Sequence, residues 1–348
     1  MRNDELLAAC RRGARILTRL VKYKSFQVGC FGLVLVLLPL VLTNRYYLNL
    51  MIFIGINTLL VVGLNLLMGY AGQISLGHAA FFGLGAYTSG ILTATYHVSP
   101  WLAMVAAVIL TAVVALVVGI PALKLTGYYL AMATLGFGII VHICFKEFNW
   151  LTGGPSGLVG IPPLTLGSMI LDEPVSYYYL VWFTTLAALG LSLNIVDSRV
   201  GRALRAIHDS ESAARASGIY TSRLKIWVFV ISAVYASVAG SLYAHFITFI
   251  SPSSFDFMFS IKLVTMVVVG GMASIWGAAF GAATLTLLPE VLAVFHDYDI
   301  VIFGLILMVV MIFLPQGLTR GGLDLLEKYR FRRRTAEESA IYNLNSKI

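Results

Sequence analysis

Residues 201–227 read GRALRAIHDSESAARASGIYTSRLKIW, a charged interruption in a chain that is 59% hydrophobic and only 11% charged. Arg202, Arg205, Arg215, Arg223 and Lys225 fall inside it, and Arg199 stands just before it. At helical spacing, Ala203, Ala206, Ile207, Ala213, Ala214 and Ala216 supply small apolar contacts. Arg202, Arg205, Asp209, Glu211 and Arg215 supply charge, so the expectation is a short, mixed-charge helix ended by Gly218. Such a helix fits a groove on a partner protein; the other reading is a helix lying on lipid headgroups. The segment lacks the bulky Leu, Phe or Trp face with which interfacial helices anchor, which favours the partner.

The flanking sequence explains why charge is so rare. With a mean hydropathy of +0.88 over 348 residues, the chain has too few polar side chains to cover a soluble surface, so a bilayer must solvate much of it. Twenty of the 24 Lys and Arg lie in three blocks, residues 1–27, 198–225 and 316–348 (seven, six and seven). Basic residues confined to loops and ends between apolar spans follow the positive-inside rule, and no basic groove motif points to nucleic acid. Cys10, Cys30 and Cys144 have neither metal nor redox spacing. Leu7-Ala8-Ala9-Cys10 superficially matches a lipoprotein cleavage box but has no apolar region before it, and Arg11 and Arg12 follow at once. The first 27 residues therefore read as a basic cytoplasmic arm entering an uncleaved first span.

Spans of roughly 17–25 apolar residues are expected at 28–43, 47–68, 74–96, 101–121, 127–146, 177–197, 224–248, 257–271, 275–294 and 298–315. Of these, 74–96 and 257–271 are weaker and open to being re-entrant or broken. Ten crossings from an inside start place the basic arm, Lys124, the 198–225 block and the tail on the cytoplasmic side. Glu147, Asp172, Glu173, Asp256, Asp297 and Asp299 then fall outside. The expected fold is thus an all-α integral membrane protein of about ten spans with both termini cytoplasmic. Its membrane domain covers 28–318, with a cytoplasmic loop at 198–223, a turn-rich outer cap at 147–176 and a basic tail at 319–348. Two segments, MGYAGQISLGHAAFFGLGAYTSG and VVVGGMASIWGAAFGAA, are dense in small residues and resemble each other weakly. They read as interhelical seams or helix breaks near a pathway, with Gly72, Ser75, Gly77, His78, Gly270, Gly271 and Gly277 as the residues to watch.

Chemistry is scarce. No phosphate loop, zinc-protease motif, nucleophile elbow or paired intramembrane carboxylate occurs, so no catalytic residue, metal or cofactor is expected. The ionisable groups within apolar spans are His78, His142, His245, Lys262 and Glu290. His78 reads as a neutral, hydrogen-bonded imidazole, and Lys262 and Glu290 fall near outer ends where snorkelling suffices. A coupled secondary carrier, the competing class, commonly places carboxylates near the midplane, where this chain has none. The spans form a pathway with no energy source of their own.

Glu211-Ser-Ala-Ala-Arg-Ala-Ser-Gly218 resembles the E-x-A-A-x-x-x-G coupling motif of ATP-binding-cassette importer permeases. Together with GLNLLMGYAGQISLGHAAFFGLGAYTSGIL, YYLAMATLGFGIIV, NWLTGGPSGLVGIP and SPSSFDFMFSIKLVTMVVVGGMASIWGAAFGAATLTLLPE, it resembles the branched-chain amino acid permease family, LivM-type, over roughly residues 45–318. The resemblance implies a bacterial inner-membrane permease, paired with a LivH-type permease and two cytoplasmic ATP-binding subunits and fed by a periplasmic binding protein. Arg205, Asp209, Glu211, Ala213, Ala214, Arg215 and Gly218 would then form the element that docks on the ATPases. Small side chains at Ala213, Ala214 and Gly218 would let it seat deeply, and Glu211 and Arg215 would serve the groove rim. Related permeases for urea and amides share much of the pattern.

Overall fold

The apolar runs form helices, and the polar punctuation between them caps those helices. In the computed structural model of the protein, residues 24–41, 44–166, 169–170 and 173–292 are described, with isolated helical positions at Gly304, Leu305, Met308, Ile312 and Gly317. Helix α1 covers Lys24–Val41, α2 Arg45–Asn65, α3 His78–Ala94, α4 Pro100–Ala122, α5 Tyr128–Glu147 and α6 Asn149–Thr152. The second half continues with α7 Pro174–Asp197, α8 Arg199–Asp209, α9 Glu211–Ala216, α10 Thr221–Ile247, α11 Phe257–Gly270 and α12 Ile275–Leu292. The Asn44 side chain opens α2 by accepting from the Tyr46 N–H at 3.0 Å, and Asp256 opens α11 by accepting from the Phe259 N–H at 2.9 Å. Pro100 and Pro174 stand in the first turns of α4 and α7, where a missing N–H leaves no bond unmade.

Six helices among the described residues are long and apolar enough to cross a membrane: α2 with its π-helical extension to Tyr70, α4, α5, α7, α10 and α12. Val28–Leu40 within α1 and the whole of α11 are apolar but shorter. The run expected at 74–96 is helical only from His78, because the chain through Gly72–Gly77 is irregular. The expected span at 298–315 lies largely outside the described residues, as do the basic arm and tail.

Helix α2 is the axis of the molecule. It is apolar around its whole circumference, and 83% of its most apolar stretch is buried against α7, α10, α11 and α12. Helix α10 packs against α2 and also against α3 and α4. By contrast α4 and α5 lie outermost, with Ile109, Val113, Val117 and Ile140 exposed. Such a surface suits lipid or a second subunit rather than water.

Beyond α5 the chain builds the turn-rich cap that its Gly-Gly-Pro and Pro-Pro steps require. Strand β1 (Leu158–Val159) pairs antiparallel with β4 (Phe249–Ile250), and β2 (Thr165–Leu166) pairs with β3 (Met169–Ile170). The cap is tied to the helices through His245. Its Nδ1 donates to the Pro162 carbonyl at 2.7 Å, so its Nε2 must accept from the Ser89 hydroxyl at 2.8 Å.

Candidate functional site

The charged stretch forms two helices rather than one. Ser198 ends α7 and caps α8, its Oγ accepting from Val200 N–H at 3.1 Å. Gly201, Leu204 and Ile207 then recur at helical spacing and are buried, leaving Arg202, Arg205, His208 and Asp209 outward. At Ser210 the backbone turns extended (φ −160°, ψ 112°), and its Oγ accepts from Ala213 N–H at 3.4 Å to start α9. This serine cap breaks the single helix expected from the spacing. The end of α9 is a Schellman turn: Ile219 N–H donates to Ala214 O at 3.1 Å and Gly218 N–H to Arg215 O at 3.0 Å. Gly218 sits at φ +81° with nothing near its missing Cβ, so backbone conformation rather than space selects glycine.

Glu211 faces inward. Its Oε2 accepts from Lys225 Nζ at 2.5 Å, and its Oε1 accepts from Arg215 Nη2 at 2.5 Å and from the Thr221 hydroxyl at 3.3 Å. Arg215 Nε also donates to Thr221 Oγ1 at 3.0 Å, closing the network between α9 and the first turn of α10. Partial burial pushes the Glu211 carboxyl up, and the hydrogen bonds from Lys225 and Arg215 outweigh it, leaving the group below its ordinary range. Lys225 is 1% exposed, and this carboxylate is the counter-ion that offsets its burial.

Three of the expected docking residues have partners within the chain. Ala214 is buried in its own chain at 3% exposure, seating α9 on the bundle. Glu211 is spent on Lys225 and Arg215, and Arg215 on Glu211 and Thr221, rather than standing free for a groove rim. The outward surface is instead Ser212, Ala213, Ala216, Ser217 and Gly218, with Arg215 along its edge. Beside it lies an open depression lined by Arg215, Tyr220, Thr221 and Arg223. Arg205 donates to Val196 O at 3.2 Å, lies 3.9 Å from Asp197 and stacks over Tyr70, which fastens α8 to the end of α2.

The small-residue segments meet at that same end. Asn65 Nδ2 donates to Ser274 O at 2.7 Å and its Oδ1 accepts from Ala273 N–H at 3.1 Å, joining the π turn of α2 to the break between α11 and α12. Gly270 lies so close to Gly277 and Gly281 that a Cβ there would stand 2.1 Å from the Gly277 carbonyl oxygen. Gly271 holds the turn at φ +117°, and Gly277 N–H donates to Ser274 Oγ at 3.0 Å. Gly72, at φ +67°, packs on His208 of α8, while a Cβ at Gly77 would stand 2.3 Å from Thr134 O of α5. Ser75 and His78 are buried; Ser75 Oγ and His78 Nε2 have no hydrogen-bond partner among the described residues, while the His78 ring bonds to the backbone of Leu60.

Sequence reasoning missed the part played by Lys225 and the convergence of Lys262 with Glu290. Lys225 counted only as a basic residue at a span's start, although its position opposite an acidic group in a short loop is a usable signal. Lys262 and Glu290, expected to snorkel independently, line one cavity with Asn57 and Thr286, which are bonded to each other at 2.9 Å.

A family model described as "Branched-chain amino acid transport system / permease component" matches residues 46–314. Over 261 residues the chain is 32% identical to the high-affinity branched-chain amino acid transport system permease protein LivM of Salmonella typhimurium, covering 68% of this chain and 61% of that protein. It is 33% identical over 189 residues to LivH of the same organism, covering 51% and 60%. The autoinducer 2 import system permease protein LsrC of Salmonella paratyphi B is 27% identical over 201 residues, 55% of each chain. The chain thus spans about three-fifths of the length of LivM and LivH. No solved structure matches it. The capped segment α8–α9, the paired helix breaks and α2 after Arg45 fall within the matched residues, and the chain belongs to the branched-chain amino acid transport permease family.

Proposed function

We propose that the chain is a translocating subunit of an ATP-driven importer for branched-chain or other hydrophobic amino acids in a bacterial inner membrane. The observation that carries this reading is α8–α9: a polar segment between membrane-length helices, capped at both ends and locked to α10 by Glu211, with small side chains outward. A rigid element with that surface suits transmission of motion from a docked protein, because small residues permit close approach and the lock passes force into α10. Two cytoplasmic ATP-binding subunits would dock there, a LivH-type permease would complete the membrane pair, and a periplasmic binding protein would deliver the solute. Both termini would be cytoplasmic, as the basic arm and tail favour.

Reconstitution of the chain with a LivH-type permease, ATPases and binding protein encoded beside it tests this. Leucine uptake into proteoliposomes should require ATP and all components. Uptake by the chain alone, driven by an ion gradient, would replace the importer with a secondary carrier. The similarity to LsrC, named for a different solute, keeps a second reading in the panel: uptake of urea, amides or another small organic solute in place of leucine.

A further inference from the structure

Far from α8–α9 an open cavity of about 330 Å³ lies between α2, α3, α10, α11 and α12. Asn57, on its wall, lies thirteen residues before Tyr70, or about 20 Å of helix at 1.5 Å per residue. Its volume falls within the roughly 300–1,000 Å³ of small-molecule sites. One wall is aromatic: Phe82 stacks on Phe259 with ring centroids 5.3 Å apart and meets Tyr243 at 5.3 Å. Among aliphatic side chains such as Leu50 and Ile56, Lys262 of α11 and Glu290 of α12 contribute opposite charges. Among the described residues no carboxylate lies within ion-pair distance of Lys262, while Glu290 accepts a hydrogen bond from the Tyr46 hydroxyl. Asn57 and Thr286 hold each other in place, which fixes the separation of α2 and α12 along this wall.

Lys262 is half-buried without a counter-charge among the described residues, and an intramembrane charge of that kind is costly unless a ligand completes it; Glu290, more exposed, supplies the opposite charge across the cavity. We propose that this cavity is a transient binding site for a zwitterionic amino acid with an apolar side chain. Its carboxylate meets Lys262, its ammonium meets Glu290, and its side chain lies along Phe82 and Phe259. The proposal rests on the permease reading and adds a charge-based filter inside the membrane domain.

The assembled complex, with Cys10, Cys30 and Cys144 changed to Ser, carries Thr286→Cys as a reporter on the cavity wall. Leucine should slow alkylation of that thiol at least fivefold. Isoamylamine, lacking the carboxylate, and 4-methylpentanoate, lacking the ammonium, should not. Lys262→Gln should abolish the protection by leucine and, in the otherwise unmodified complex, reduce ATP-driven leucine uptake more than tenfold. Lys262→Arg should retain both, and ATPase co-purification should match the parent in each variant. Active leucine uptake with no protection, and with Lys262→Gln and Glu290→Gln transporting within twofold of the parent, overturns the cavity assignment while leaving the permease reading intact. Protection by leucine in a complex that transports no amino acid overturns the permease reading instead. Equal protection by all three probes leaves only an apolar pocket and sinks the zwitterion site.

Discussion

Glu211 is where a single side chain decides whether α8–α9 is an ordered part of the molecule. Removing one partner of a buried ion pair costs about 3–5 kcal/mol, because the other charge is left without compensation. Glu211 keeps partial exposure while Lys225 has almost none, so the lower end applies to Glu211→Gln. Thermal unfolding of the purified protein should fall by several degrees in that variant, and Glu211→Gln with Lys225→Met should recover much of the loss. A double variant as unstable as the sum of the singles would show that the pair does not lock α9 to α10. The folded pKa of Glu211 lies below its unfolded 4.5, so the lock contributes fully above that pH and fades as pH falls through the lower folded value. Sequence alone showed the Glu211–Arg215 spacing, one helical turn, but not Lys225, which reaches the same carboxylate only because the Schellman turn at Gly218 folds the chain back.

At the scale of elements, the helix boundaries were largely legible, because apolar runs ended by glycine, proline or a capping side chain have few other solutions in lipid. What the sequence did not reveal was which glycines mark a crossing. Gly85 and Gly190 are both helical, yet a Cβ on Gly85 of α3 would lie 2.3 Å from the Ser237 carbonyl oxygen of α10, whereas Gly190 of α7 has open space around it. Composition cannot separate the two; only the packing of α3 on α10 does. Gly85→Leu should therefore force the two backbones apart at a cost at or above about 3 kcal/mol. Gly190→Ala should stabilise its helix by about 0.5–1 kcal/mol. Thermal unfolding together with the yield of membrane-inserted protein checks both. Comparable behaviour of the two variants would mean that the α3–α10 crossing is not a close one.

For the whole molecule, α10 sets the distance between the two ends. It runs for 27 residues from Thr221, at the Glu211 lock, to Ile247, just before β4 of the cap. That length is about 40 Å, more than the roughly 30 Å of a hydrocarbon core. A helix with so apolar a sequence must lie across the bilayer, so α9 and the β1–β4 cap stand on opposite faces whichever way the molecule inserts. We propose that α8–α9 faces the cytoplasm, because Arg199 through Lys225 surround it while the cap carries no basic residue between Leu158 and Leu166. Single cysteines at exposed Ser212 and at Val159, which is 71% exposed, report the two faces once Cys10, Cys30 and Cys144 are changed to Ser. An impermeant thiol reagent should label Val159→Cys in right-side-out membranes and Ser212→Cys only in inverted ones. The reverse pattern would put the docking segment outside, where no ATPase could reach it. Labelling of both from one side would mean that α10 does not span the membrane, and the route by which α9 moves the pathway would fail with it.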